Sequence, residues 1–158
     1  MFRPMLRFKQ QLPQEECLEI LEKELRGVLS VLGDDDYPYG FPINHYYCRE
    51  DGKLYFHTGY KGHKMDAMRR RDKASFCVYD RGYRKEGDWA LNIRSVIVFG
   101  RIEMVEDRDK IYEIAARLSA KFTDDEHYTL EEIKRSGPHT AMFALVPEHI
   151  SGKLVNES

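Results

Sequence analysis

The segment from residue 57 to residue 64 combines residue types that bind phosphate groups. It reads His-Thr-Gly-Tyr-Lys-Gly-His-Lys and runs from a predicted strand end into a predicted helix start. Its glycines permit close approach of the backbone to a ligand, and a helix N-terminus presents free N–H groups. Lys61, His63 and Lys64 add cationic or polar donors. The spacing matches neither a Walker nor a dinucleotide motif, so a solvated basic helix face is the alternative interpretation.

A second candidate segment spans residues 40–47 and reads Gly-Phe-Pro-Ile-Asn-His-Tyr-Tyr. Pro42 interrupts an alternating strand pattern, which predicts a sheet edge or a bulge because proline lacks the ladder donor. A free backbone edge, the Asn44 amide and the flanking rings suit a flat heteroaromatic ligand. The alternative is a strand whose aromatic side chains fill the core.

Other site chemistries find little support. His45 and Cys48 are three residues apart on a predicted strand and therefore face opposite sides. The sequence has no H-E-x-x-H motif and no cysteine pair, so no metal site is predicted. A G-x-S-x-G motif is absent, and no cysteine lies in a basic loop, so nucleophilic catalysis is not expected.

Composition limits the class of protein. The chain has 158 residues, which predicts one domain over residues 1–158. Its net charge of −2 gives no general attraction to nucleic acid, and its apolar runs are too short to cross a bilayer. No secretory signal is evident, and Cys17, Cys48 and Cys77 form no disulfide pattern. We therefore expect a reduced, cytoplasmic protein without a nucleic-acid or membrane partner.

The hydrophobic pattern predicts two long helices. One begins after Pro13 and carries an apolar stripe from Cys17 to Leu25, with Gly27 as its stop. The other begins at Asp107, a good N-cap residue. Short helices are predicted at residues 64–71 and after Thr129, where Thr-Leu-Glu-Glu has the capping-box pattern.

Strands are expected at residues 28–32, 39–47, 53–57, 74–79, 93–105 and 140–146. The first three should form a meander with a hairpin turn at Asp51-Gly52. Gly100 predicts a bulge, and Pro147 should end the last strand. Strands joined by hairpins outnumber βαβ units, so the fold class is α+β, mainly β. An antiparallel sheet with flanking helices that closes into a small barrel removes the exposed edges.

Five runs, in this order and spacing, resemble a known family. They are Gly-Val-Leu-Ser-Val at 27–31, Tyr-Pro-Tyr-Gly-Phe-Pro-Ile-Asn at 37–44, Gly-Lys-Leu-Tyr-Phe-His at 52–57, Gly-His-Lys at 62–64 and Ser-Val-Ile-Val-Phe-Gly at 95–100. The chain resembles the pyridoxamine 5′-phosphate oxidase-like FMN-binding split-barrel proteins, most closely the nitroimidazole-resistance branch, over residues 12–153.

The resemblance implies a six-stranded antiparallel split β-barrel and a homodimer with FMN at the subunit interface. Pro42, Ile43 and Asn44 would lie along the isoalloxazine ring. His57, Thr58 and Gly59 would lie beside the ring and the ribityl chain. His63 and Lys64 would meet the phosphate, and Ser95 and Val96 would close the site.

The resemblance further implies an FMN-dependent oxidoreductase that reduces a small aromatic, nitro- or quinone-like substrate. The C-terminal motif of the vitamer oxidases is absent. No catalytic residue is assigned, because the flavin carries the redox chemistry. His45 or His57 could donate a proton, although a structural histidine is the favoured interpretation for each. The rival functions are a non-catalytic haem- or flavin-binding module on the same barrel and an enzyme that uses a deazaflavin.

Overall fold

A computed structural model describes residues 1–157 of the chain. Within this range, seven strands form one sheet in which every pairing is antiparallel. The strands are β1 (Arg26–Leu32), β2 (Pro38–Asn44), β3 (Tyr46–Cys48), β4 (Lys53–Thr58), β5 (Lys73–Tyr79), β6 (Leu91–Val105) and β7 (Ala141–Glu157). Four α-helices flank the sheet in the described residues: α1 (Gln14–Lys23), α2 (His63–Arg70), α3 (Arg108–Ala120) and α4 (Glu126–Ser136).

The sheet is curled into a half-barrel, and one residue shows why. The strand order is β2-β1-β5-β6-β7-β4-β3, so β2 and β3 lie at opposite edges of the sheet. They are separated in the chain by His45 alone. A single residue cannot cross a flat sheet of this width, so the sheet curls until its edges approach each other. The predicted mainly-β, antiparallel fold class is confirmed, with seven strands rather than six because the strand predicted at 39–47 divides at His45.

Both antiparallel pairings of the meander predicted for the first third are confirmed, but its three strands are not neighbours in one continuous row, because the middle strand divides at His45 between the two edges of the sheet. β2 pairs with β1, whereas β4 pairs with β3 and β7. The hairpin turn at Asp51-Gly52 is confirmed, and Gly52 adopts a positive φ of 73° there. Strand alternation in the sequence identifies which residues share a face, but it does not identify the neighbouring strand when the chain changes edges.

The long pair of β6 and β7 forms the back of the half-barrel. Pro147 does not end β7 as predicted, because a register shift at Phe99 and Gly100 lies opposite it. The irregularity predicted at Gly100 is thereby confirmed, although the extra residue of the bulge is Glu148 of β7, opposite Phe99 and Gly100. A Cβ at Gly100 would stand 2.3 Å from the Val146 carbonyl oxygen, so only glycine fits this close approach. A proline without an N–H is tolerated at such an irregularity, and the strand continues beyond it.

Two hydrophobic clusters hold the layers together. The larger one fills the concave side of the sheet, where Phe56 packs against Phe76 and Phe143 at ring-centroid distances of 5.1 Å. The smaller one lies beneath α3 and includes Tyr55, Ile114 and Met142. No helix in residues 1–157 combines the length and the apolar character needed to cross a membrane.

Of the predicted N-terminal caps of α3 and α4, one is confirmed and one is wrong. The Asp107 carboxylate accepts hydrogen bonds from the backbone N–H groups of Asp109 and Lys110, so the predicted cap of α3 is confirmed. The capping box predicted at Thr129 is wrong, because α4 already begins at Glu126. Asp125 caps it by accepting from the Tyr128 backbone N–H, and Thr129 is a buried residue within the helix.

Candidate functional site

A groove of about 290 Å³ lies where the two edges of the curled sheet face each other. Pro42, Ile43 and Asn44 of β2 form one wall, His57 of β4 forms the other, and Arg26 of β1 completes it. Within residues 1–157, β2 pairs with β1 alone, so the predicted edge strand around Pro42 is confirmed. The curl therefore brings together four of the residues that the sequence selected from two separate segments.

The polar side chains of this groove are free to meet a ligand. Among residues 1–157, the Asn44 amide has no hydrogen-bond partner within the protein, and Arg26 has no carboxylate partner. His57 is exposed at the groove, yet the surrounding strands displace water from part of its ring and lower its pKa. The imidazole is therefore neutral at pH 7 and can donate or accept a hydrogen bond.

Arg26 was missed by sequence reasoning. It precedes the first run that carries the family resemblance and stands opposite Asn44 in the β1–β2 register. A single arginine at the start of a strand carries no distinctive pattern. The register of the strand pair places it in the groove.

The loop after β4 is open where a ligand would approach. A Cβ built at Gly59 or Gly62 meets no atom within 4 Å, and Gly62 has a positive φ of 122°. Gly62 precedes α2 and provides no side-chain cap, so the first N–H groups of the helix receive no side-chain acceptor there. The Lys64 ammonium lies 4.5 Å from the centroid of the Phe41 ring, which draws the start of α2 towards β2.

His63 is engaged by the protein itself. Its Nε2 accepts a hydrogen bond of 3.1 Å from the backbone N–H of Asp34. Its ring centroid lies 4.2 Å from that of Tyr39. The Asp34 carboxylate is 3.7 Å from the same nitrogen and also pairs with Arg70 at 2.8 Å. An anion at this point would face a carboxylate, so Lys64 is better placed than His63 to meet a phosphate.

Ser95 and Val96 do not line the groove of their own chain. Both lie on β6, which β1 and β5 separate from β2. Val96 is fully buried in the larger cluster, so its side chain contacts the core. Ser95 is half-buried on the opposite, convex face, between Tyr79 and Lys153 in the register.

His45, next to Asn44, has a structural setting. It is fully buried, and its Nε2–H donates a 2.7 Å hydrogen bond to the Leu21 carbonyl. Burial, reinforced by the Lys121 ammonium, lowers its pKa to about 3. The favoured interpretation of His45 as a structural histidine is confirmed, because a neutral ring closed off from solvent cannot serve a substrate. No group of three or more His, Cys, Asp or Glu side chains in the described residues is arranged to hold a metal ion.

The family comparison agrees with this geometry over nearly the whole chain. A family model described as pyridoxamine 5′-phosphate oxidase matches residues 13–154. No curated protein gave a significant match.

Solved structures share the fold at low sequence identity. A candidate 5-nitroimidazole antibiotic resistance protein from Bacteroides thetaiotaomicron is 14% identical with a TM-score of 0.75, over 92% of this chain and 87% of that one. A FAD-binding protein from Mesorhizobium loti is 24% identical with a TM-score of 0.71, over 92% and 97%. A FAD and heme binding protein from Mycobacterium smegmatis is 20% identical with a TM-score of 0.74, over 92% and 73%.

Proposed function

Because the chain belongs to the pyridoxamine 5′-phosphate oxidase family, we propose that it is a flavoprotein that binds FMN in the groove between β2 and β4. We further propose that it is a homodimeric, cytoplasmic oxidoreductase that reduces a small aromatic, nitro- or quinone-like molecule. The observation that carries the proposal is the convergence of Pro42, Ile43, Asn44 and His57 on one groove, with the Lys64 ammonium over the ring of Phe41 in the same strand β2. Relatives of the same fold that bind FAD support the flavin assignment.

The residues present fit a flavin in three respects. The outer edge of β2 pairs with no strand, so its backbone groups can address the polar rim of a planar ring. Gly59 leaves open space beside His57 for a flexible chain. Lys64, at the uncapped start of α2, supplies positive charge for a phosphate. His63 would contribute only through its other ring nitrogen, Nδ1, since its Nε2 already accepts a hydrogen bond from the Asp34 backbone.

The chain's own residues would bind and orient the cofactor and exclude water from it. When bound, the flavin supplies the hydride or electron transfer. Asn44 would hydrogen-bond the ring and fix its position across the groove. His57, neutral at pH 7 because its pKa is lowered, would hold a hydrogen bond beside the ring rather than place a positive charge there.

The convex face of the sheet supports the homodimer. A row of uncharged residues crosses five strands in direct register: Pro42, Val28, Cys77, Ile97 and Ser151. Val28 and Ile97 are 37% and 40% exposed, and Phe99 in the next row is 41% exposed. Pro42 belongs to both this row and the groove, so a second copy on this face would border the flavin. Ser95, on the same face, would then serve the groove of the other copy.

The cofactor assignment is tested on the purified full-length chain by its visible spectrum and by mass spectrometry of the released chromophore. We expect a flavin spectrum and a released mass equal to FMN. A Soret band would favour the haem-binding module, and a deazaflavin or FAD mass would replace FMN. Failure of the chain to bind added FMN would contradict the proposal. For the redox role, the flavin is reduced anaerobically, and re-oxidation by a nitroaromatic or a quinone is measured. No re-oxidation would leave a flavin-binding module.

The dimer is tested by light scattering. We expect a mass twice the 18.6 kDa of one chain and a monomer for Ile97→Arg. Leu130→Arg is the matched control, because Leu130 is 55% exposed on α4 and does not belong to this row of strand residues. A wild-type monomer that still binds flavin would contradict a site shared between subunits.

A further inference from the structure

A second cleft, of about 360 Å³, opens between α3 and the adjoining ends of β6 and β7. It shares no lining residue with the flavin groove. Its floor is apolar and includes Val105, Ile111 and Met142, which lie on the same side of the sheet, the side that α3 covers. Met142 and Ile111 belong to the cluster beneath α3, so the cleft reaches down to that second core. A water-exposed apolar floor of this kind favours the ring or chain of an organic ligand over bulk water.

Two arginines line the rim of this cleft without a partner. Arg69 comes from α2 and Arg108 from α3. Six other arginines of the described chain form ion pairs with carboxylates, whereas Arg69 and Arg108 form none. The paired ones are Arg49, Arg70, Arg94, Arg101, Arg117 and Arg135. Glu106 also lines the cleft, so two positive charges face one negative charge there.

The arginines, rather than the start of α3, provide the positive charge available to a ligand. The Asp107 carboxylate already accepts from the N–H groups of Asp109 and Lys110, so the helix end is capped. A guanidinium presents several donors in a plane that matches a carboxylate or phosphate in two-point geometry. Two guanidiniums from different helices can therefore hold one anionic group over the apolar floor.

Tyr112 and Gly137 form one wall of the cleft. The Tyr112 ring lies against the backbone at Gly137, where a Cβ would come within 3.3 Å of it. Gly137 has an ordinary helical φ of −52°, so the backbone conformation does not require a glycine there. The lack of a side chain matters because a Cβ would crowd the Tyr112 ring. The absence of a side chain at Gly137 leaves room for the Tyr112 ring in this wall of the cleft.

We propose that this cleft is a second small-molecule site, which binds an organic anion consisting of an apolar ring and a carboxylate or phosphate group. The apolar part lies on Val105, Ile111 and Met142, and the anionic part is held by Arg69 and Arg108. The proposal does not rest on flavin binding, since no residue of the flavin groove takes part.

The test uses isothermal titration calorimetry of the full-length protein with 2-naphthoate and with 2-naphthamide, a neutral molecule of the same shape. We expect 2-naphthoate to bind more tightly than 2-naphthamide. Arg69→Ala and Arg108→Ala should each weaken the binding of 2-naphthoate roughly tenfold and leave the binding of 2-naphthamide unchanged. Tenfold is the lower end of the effect expected for loss of one charge-assisted hydrogen bond. Arg81→Ala, an exposed arginine in the loop before β6, is the matched control.

A third variant tests the location. Val105→Trp, at a half-buried residue of the floor, should fill the cleft and weaken the binding of both ligands. Equal affinity for the two ligands, or unchanged 2-naphthoate binding in Val105→Trp or in both arginine variants, would overturn the proposal, as would no binding of 2-naphthoate. Circular dichroism verifies that each variant is folded. Comparison with 2-naphthyl phosphate identifies the preferred anionic group, and preference for either group supports the site.

Discussion

Asn44 and His45 are consecutive residues that belong to regions of opposite character. His45 lies in the crossover, defined here as the point where the chain passes from β2 to β3, and it is fully buried. Asn44 lies in the groove, half-buried, with its amide free of protein partners. One peptide bond thus separates a polar group committed to the fold from one available to a ligand.

In the crossover, the protein supplies most of the hydrogen bonds. The His45 ring donates to the Leu21 carbonyl at 2.7 Å and stacks edge-on against Phe76. The Lys121 ammonium donates to the carbonyls of Glu24 and His45, each at 2.7 Å. α1, α3 and the sheet are thereby tied together where the two sheet edges meet. The remaining ring nitrogen, His45 Nδ1, is buried without a partner.

The groove shows the reverse pattern. Asn44 and Arg26 in the groove, and Lys64 at the start of α2, keep polar or charged groups without carboxylate or amide partners in the described chain. Gly59 and Gly62 leave open space in the loop before α2. Polar groups that the fold has paired contribute to stability, whereas unpaired ones at an open edge contribute to binding. Substitutions in the crossover should therefore change stability, and substitutions in the groove should change affinity.

The largest expected effect is that of His45→Ala. It removes a buried ring and its hydrogen bond, and we expect a loss of about 4 kcal/mol in the free energy of unfolding, as for truncation of a buried aromatic residue. Urea denaturation measures it. His127→Ala, at an exposed position on α4, should change stability by less than about 0.5 kcal/mol. If both variants had equal stability, the structural role of the crossover would be disproved.

Lys121→Met should have the next largest effect. It keeps the alkyl stem but leaves two carbonyls without their donor, at a cost of about 3 kcal/mol in unfolding free energy. Lys134→Met, on an α4 lysine that is 75% exposed, is the control and should be neutral. Thermal melts of the two variants give the comparison. A melting temperature of Lys121→Met close to the wild type would show that water replaces these hydrogen bonds freely.

Burial of His45 in the crossover also predicts that the free energy of unfolding decreases at acid pH. The pKa of His45 is about 3 in the folded state against an ordinary value of 6.5, so the unfolded chain binds the proton first as the pH falls. The part of the stability that depends on a neutral His45 is fully present above pH 6.5 and is lost progressively as the pH falls towards 3. Between pH 6.5 and 5 the loss should be about 2 kcal/mol, at 1.36 kcal/mol per pKa unit.

His45→Phe keeps a buried ring but removes the titrating group, so its stability should depend less on pH in this range. His57, whose pKa is also lowered, titrates in both proteins and cancels from the comparison. Urea titrations at several pH values provide the measurement. Parallel pH profiles for the two proteins would refute the assignment of the acid sensitivity to His45.

Lys64→Ala, at the start of α2, should weaken the binding of FMN roughly tenfold, because one charge-assisted hydrogen bond to the phosphate is lost. Riboflavin lacks the phosphate and should bind the variant and the parent equally. Lys23→Ala, at an exposed lysine on α1, controls for net charge. Fluorescence quenching measures both ligands. An equal loss for riboflavin would mean that Lys64 does not meet the phosphate.

The smallest expected effect is that of Asn44→Leu. The loss of one neutral hydrogen bond of about 1 kcal/mol should weaken flavin binding about fivefold. Unfolding free energy should stay near the parent value, in contrast to the neighbouring His45→Ala. Gln14→Leu, an exposed amide on α1, is the control for a general effect of added apolar surface. Unchanged flavin affinity in Asn44→Leu would remove Asn44 from the site.

Much of the fold could be predicted because its signals are local. The alternation of apolar residues, the Asp51-Gly52 turn, the Asp107 cap and the Gly100 bulge each depend on a few neighbouring residues. The course of β7 past Pro147 could not be predicted, because the proline is accommodated by a bulge at Glu148, the next residue of the same strand, and that bulge depends on the register with β6. The division of β2 from β3 also lacked a local signal.

The sequence by itself determined the strand-rich class, the two candidate segments and the family resemblance, since these depend on residue order. Only the tertiary structure decided which residues meet. The curl of the sheet brings Arg26 to Asn44 and His57, commits His63 to Asp34, and places Val96 in the core. Contacts between distant segments follow from strand order and register. Strand order and register are set by packing over the whole sheet and leave no pattern in any single stretch of the chain.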